Sequence, residues 1–273
     1  MTSSEHRLLK KALQSALLLG GLSSMPAMAH LYPINLGNFD GTVGASASAV
    51  SSVTGSYGWI DGTDADWSDT HKLAPFSFTL TSAADVKLTF QAAVAGGGRG
   101  GLNPGFSLYL GHPHDTSLGF ADHDFSVGSE LIRSTDCAAT PGCTNTEGSF
   151  RALTSWRITT DSDPQAVNPS TFEYIGHAYD GSQDYGVGVI SGWDGVLDNS
   201  VSKIFRLGPG TYTAFVGGSL YANQTSTSAN ALRGVSAGIT VVPLPAPLAL
   251  MASGIVFLRL AGRKSGRISA SIF

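Results

Sequence analysis

The chain has 273 residues, 13% of them charged and 42% hydrophobic, with 34 glycines and a formal net charge of −4; this composition can bury a core and is too apolar for a disordered tail. Residues 1–29 and 243–273 hold seven of the 16 basic residues and one of the 20 acids, so 19 acids face 9 bases between them. That acidic surface repels phosphate backbones and excludes nucleic acid as a partner.

In chain order, residues 1–29 read as a secretory signal peptide. Arg7, Lys10 and Lys11 precede the apolar stretch 12–22, and Ala27-Met28-Ala29 supplies a small-residue cleavage site, with Ala27 and Ala29 flanking Met28. The apolar run is too short for a spanning helix of about 20 residues. Cleavage is expected after Ala29, and the mature chain is expected to be exported.

Residues 30–242 contain no repeat, charged linker or second Pro-rich stretch, and are expected to form one domain. Alternating apolar and polar residues at 76–80, 86–90, 106–110 and 211–216 predict half-buried strands, with further strands at 153–159, 172–177, 185–190, 201–206 and 235–242. Clusters of Gly, Asp, Asn and Pro separate them, and no sustained helical period occurs. Many short strands joined by loops predict an all-β fold, a jelly-roll-like β-sandwich.

The densest acidic stretch holds Asp61, Asp64, Asp66 and Asp69. Hard carboxylate oxygens so close in sequence suit calcium, although the spacing is not that of an EF-hand; a solvated turn capped by Asp side chains is the other reading. Asp180-Gly181-Ser182-Gln183-Asp184 and Asp194-Gly195 read as turns. His112 and His114 end the strand at 106–110 with His123 beyond, a spacing that allows a transition metal or simply polar loop histidines. His30 would become the mature N-terminus, a copper-binding arrangement only if a second placed histidine joins it. Cys137 and Cys143, close together in a chain bound for an oxidising compartment, are expected to form a disulfide, with a metal pair as the rival reading.

Two enzyme-like motifs fail on context. Gly234, Ser236 and Gly238 spell Gly-x-Ser-x-Gly, but no Asp, Glu or His follows to residue 273. The Gly-rich run 96–101 is followed by Asn103-Pro104-Gly105, which blocks a phosphate-binding helix and leaves a flexible loop. No pair of carboxylates stands out at glycosidase spacing, so no enzyme is expected. Of the tryptophans, Trp59, Trp67, Trp156 and Trp193, the second and fourth sit beside Asp in Gly/Ser-rich turns and are expected to be exposed, where they could stack on sugars.

At the end of the chain Val242, Pro243, Leu244, Pro245 and Ala246 lead into the apolar run 248–258, followed by Arg259, Arg263 and Lys264. An apolar helix can enter a bilayer while basic residues hold its end at the cytoplasmic face. This tripartite tail, residues 243–267 with a short extension at 268–273, resembles the PEP-CTERM sorting signal in its Val-Pro-Leu-Pro-Ala variant. The resemblance implies a Gram-negative bacterium, transient anchoring in the inner membrane and an exosortase-type enzyme as partner. It further implies delivery to the cell surface or extracellular matrix, in association with exopolysaccharide and biofilm. The segment 61–90 and Leu207-Gly208-Pro209-Gly210-Thr211-Tyr212-Thr213 are similar to pre-peptidase C-terminal β-sandwiches, which implies the same architecture. A non-catalytic surface or matrix protein is therefore expected. The alternative is a secreted carbohydrate-binding or glycan-active protein, with or without structural calcium.

Overall fold

The computed structural model describes residues 32–60, 66–113, 149–158, 170–185, 188–223 and 230–243. Twelve strands occur among them: β1 (Ile34–Phe39), β2 (Ser46–Thr54), β3 (Trp67–Asp69), β4 (Ala74–Leu80), β5 (Ala84–Ala93), β6 (Pro104–Leu110), β7 (Ser149–Arg151), β8 (Trp156–Arg157), β9 (Thr171–Tyr179), β10 (Ser200–Leu207), β11 (Gly210–Gly218) and β12 (Leu232–Val242). They form a six-stranded sheet, β1-β4-β11-β6-β9-β8, a four-stranded sheet, β10-β5-β12-β2, and a small β3-β7 pair. The expected β-sandwich is present, and every pairing is antiparallel except β1 with β4.

Alternation selects what each strand buries. Phe76, Phe78 and Leu80 of β4, Phe106 and Leu108 of β6, and Tyr212, Ala214 and Val216 of β11 meet Val86, Leu88 and Phe90 of β5 and Val235, Ala237, Ile239 and Val241 of β12 between the sheets. Phe90 and Phe106 lie 4.7 Å apart by ring centroids at the middle of this layer. β12 is the longest strand, bonded to β2 on one side and β5 on the other, with its last register pair Val242↔Asp85.

The six-stranded sheet is covered on its other face too. Trp59, Tyr109, Trp156, Phe172, Tyr179, Tyr185 and Phe215 build a second cluster there with Ile60, Leu73, Ala152 and Ile158. Neighbouring strand positions therefore bury opposite faces, and β6 and β11 are buried almost end to end.

Several strands depart from the sequence reading. β1 and β2 were not expected, since Asn-Leu-Gly-Asn and the Ser/Ala run of β2 lack a strong apolar alternation. Of the strand expected at 185–190, the described residues form only one bridge, Asp184↔Val189, and Tyr185 is drawn into the second cluster by its ring contacts and its hydroxyl bond to Ser219. Of the strand expected at 153–159, Trp156–Arg157 is the part that pairs among the described residues. The Gly-rich loop 96–101 is tied down rather than free: Gly98 N bonds Ala95 O, and Arg99 exchanges backbone bonds with Leu232 and Gly234 of β12. Gly234, Ser236 and Gly238 lie within β12, so the Gly-x-Ser-x-Gly run is indeed strand.

Candidate functional site: an acidic brace and the loop it holds

β9 ends at Tyr179 and delivers Asp180 into the protein interior, where it is fully buried. A charge cannot stay there unpaired. Its carboxylate accepts hydrogen bonds from Asn103 Nδ2 at 2.6 Å, Asp198 N at 2.9 Å and Asn199 N at 2.8 Å, and so ties the far end of the 181–199 loop to the end of β9. Asp194 accepts from Gly181 N at 3.0 Å and Val196 N at 3.3 Å, and Asp198 caps Ser200 N at 3.1 Å.

One oxygen from each of Asp180, Asp194 and Asp198 lies within 4.8 Å of the others, so the three could hold a metal ion. Desolvation pushes the Asp180 carboxyl above its ordinary range; the bonds from Asn103, Asp198 N and Asn199 N oppose this, and the charge of Asp194 adds to it.

The middle of β9 carries a bulge between its pairs Leu108↔Gly176 and Tyr109↔Tyr174, which leaves Ile175 as the extra residue. Three residues apart on a regular strand, Tyr174 and His177 would face opposite ways; the bulge puts them on one face, where the Tyr174 hydroxyl bonds His177 Nδ1. His177 Nε2 pairs with Ser191 O at 2.7 Å, so both ring nitrogens anchor structure. Desolvation lowers the His177 pKa; its bond to the Ser191 carbonyl resists this, and Lys203 adds to the lowering. Tyr174 is pushed up to about 12 by desolvation and the charge of Asp66.

Of the four acids singled out in the sequence, Asp61 and Asp64 lie outside the described residues, and the other two act as ties. Asp66 accepts from Leu153 N and Thr154 Oγ1, each at 2.6 Å, and from Arg151 at 3.3 Å, which fastens the 149–154 segment beside β3. Asp69 accepts from His71 N at 2.9 Å and faces Lys72 at 3.5 Å. Desolvation would raise the Asp69 carboxyl, but the His71 bond and the Lys72 charge outweigh it and hold the group below the usual range. Protein donors thus already occupy the oxygens of both described acids. The acidic cluster that does converge joins Asp180 and Asp194, both read as plain turns, with Asp198, which the sequence did not single out. Its sequence trace was an Asp directly after the apolar Ala178-Tyr179 end of a strand.

Trp67 is the other correction: it is buried, because β3 pairs with β7 and sets Trp67 opposite Arg151, whose guanidinium lies 4.0 Å from the ring centroid. Trp59 and Trp156 are buried as well, while Trp193 is 50% exposed as expected. His112 bonds the Pro113 carbonyl at 2.7 Å. Ala27, Ala29, His30, His114, His123, Cys137, Cys143, Leu244, Pro245, Ala246, Arg259, Arg263 and Lys264 lie outside the described residues. Val242 closes β12, and Pro243 is exposed beyond it. Among the described residues no helix is long and apolar enough to cross a membrane.

No protein-family model matches the chain, and no curated protein matches it. Among solved structures it is similar to CorA, a surface-associated copper-binding protein important in copper acquisition by Methylomicrobium album BG8 (13% identity, 77% of this chain and 100% of that one, TM-score 0.45). It is also similar to the secreted protein MopE of Methylococcus capsulatus, in which an oxidized tryptophan facilitates copper binding (15% identity, 75% and 86%, TM-score 0.42). A third similar structure is the pre-peptidase C-terminal domain of a Bacillus anthracis collagenase (10% identity, 77% and 97%, TM-score 0.28). These likenesses are too remote to carry a ligand or an activity across to this chain.

Proposed function

We propose that this chain is an exported, non-catalytic β-sandwich protein of a bacterial surface or matrix, sorted through its C-terminal tail. Residues 1–29 carry it across the inner membrane, the tail holds it there, and an exosortase-type enzyme cuts near residues 243–247 to pass it on toward exopolysaccharide. The observation that carries this reading is the junction itself: the last strand of the sandwich ends at Val242, the first residue of the Val-Pro-Leu-Pro-Ala run, and Pro243 stands exposed beyond it. Proline has no N–H to extend the ladder, so the sheet stops there. Cutting past this point leaves every described strand in place.

The non-catalytic part rests on how the titratable groups are used: Asp66, Asp69, Asp180 and His177 spend their polar atoms fastening loops to strands. The test is the intact mass of the protein from a host with and without its exosortase. A product ending between residues 243 and 247 only when the enzyme is present supports the reading. A chain still ending at Phe273 in both hosts overturns it.

A further inference from the structure

Trp193 stands apart from the other tryptophans, being 50% exposed while Trp59, Trp67 and Trp156 are buried. Its exposure is enforced from both sides. Tyr179 N bonds Gly192 O at 3.1 Å and Asp194 N bonds Tyr179 O at 3.1 Å, so the backbone around Trp193 is clamped to the end of β9. Gly192 and Gly195, both at φ +92°, frame it. A Cβ on Gly192 would lie 2.6 Å from His177 Nε2, which fixes the approach of the loop to the strand. A Cβ on Gly195 would lie 3.3 Å from Cζ3 of the indole, so a side chain there would crowd the ring that the glycine leaves bare.

The surroundings restrict what such a ring can meet. Val189, Val196 and Leu197 on the same loop are 56–59% exposed, and the convergence of Asp180, Asp194 and Asp198 draws residues 193–198 onto one small area. From Gly181 to Asn199 the sequence has no Lys, Arg or His. Lys203, on adjoining β10, donates its ammonium to His177 O at 2.8 Å. The patch is apolar with an acidic border, which disfavours acidic lipid headgroups, nucleic acid and uronic-acid polymers. It suits a flat, uncharged ligand with one apolar face and hydroxyls around its edge, which is the chemistry of a neutral pyranose.

We propose that Trp193 is a stacking platform for an uncharged polysaccharide, held ready by the acidic brace beneath it. The assignment to an extracellular polymer rests on the export reading above, but binding is measured on the purified full-length chain in mild non-ionic detergent, so either idea can fail without the other. Native gels containing dextran, hydroxyethyl cellulose or laminarin are compared with gels containing alginate. The wild-type chain is expected to be retarded in at least one uncharged gel and not in alginate. Trp193→Ala is expected to bind about tenfold more weakly, the factor that a loss of about 1.4 kcal/mol produces, while Trp193→Phe, which keeps a flat ring, loses less than about threefold. Tryptophan fluorescence gives an independent readout, because only an exposed indole shifts on binding; the shift should vanish in Trp193→Phe. Equal retardation of wild type and Trp193→Ala, retardation in alginate alone, or no retardation in any gel overturns the proposal.

Discussion

The two buried layers of this protein are built from different chemistry. Between the sheets the packing is almost wholly Phe, Leu, Val, Ile and Ala from alternating strand positions. On the outer face of the six-stranded sheet it is mainly Trp, Tyr and Phe, part of it carried by segments outside the main strands. There the aromatic residues also act through their polar atoms: Trp59 Nε1 donates to Ser107 Oγ at 2.9 Å, and the hydroxyls of Tyr109, Tyr179 and Tyr185 donate to the carbonyls of Arg151, Ile190 and Ser219 at 2.6, 2.7 and 3.0 Å. Loops bring unpaired backbone carbonyls with them, and a layer that buries loops must satisfy them. The inner layer specifies the sandwich; the outer one specifies where loops lie on it.

Substitutions should separate the two layers, and the largest effect is expected inside. Phe106→Ala opens a cavity beside Phe90 and Phe205 and should cost about 3–5 kcal/mol, read as a lower denaturant midpoint for the whole protein. Asp180→Ala strands Asn103 and two backbone N–H groups and should cost about 2–3 kcal/mol, with hydrogen exchange rising first in residues 181–199. Tyr109→Phe should cost about 1 kcal/mol and loosen the 149–152 segment in hydrogen exchange while the inner strands stay protected. An equal loss of protection in both layers after Tyr109→Phe would show that they unfold as one unit.

Acidity should also act on the outer layer. The His177 pKa is lowered in the folded state, so the unfolded chain takes up a proton first as pH falls. The stability contributed by neutral His177 is complete above about pH 6.5 and is lost as pH falls from there toward the folded value. Asp180 has the opposite sign: its raised folded pKa means stability declines as pH rises from the ordinary Asp range through the folded value, then levels off. Melting curves from pH 4 to 8 on wild type and His177→Gln test this, and the fall below about pH 6.5 should flatten in the variant. The smallest expected effect is that of Trp193→Ala on stability, within about 0.5 kcal/mol, since half of that side chain already faces solvent.

The inner layer was legible in the sequence because Phe-Ser-Phe-Thr-Leu, Val-Lys-Leu-Thr-Phe and Phe-Ser-Leu-Tyr-Leu carry the period of a strand in their own letters. The same letters hid the outer layer. Tyr109 looks like the solvent side of β6, and only the loops folded over that face bury it. Trp67 read as exposed for the same reason, since its cover comes from β7 and Arg151, more than 80 residues away in sequence. The acidic brace eluded the sequence because Asp180, Asp194 and Asp198 each look like an ordinary turn residue, and their convergence depends on how a loop of irregular backbone closes. Trp193 was legible because Gly, Asp and Gly flank it, and it is 50% exposed.

One consequence concerns force. β12 is bonded along both sides, to β2 and β5, and leaves the sheet at Val242, where the tail begins. Tension applied through an anchored tail would pull along the axis of that strand. Bonds perpendicular to a strand resist such pulling together in shear, instead of parting one pair at a time as at a peeled edge. The two-residue edge strand β8 has no such protection. If the tail anchors the protein as proposed, a tug on it would meet the bonds along both sides of β12 at once.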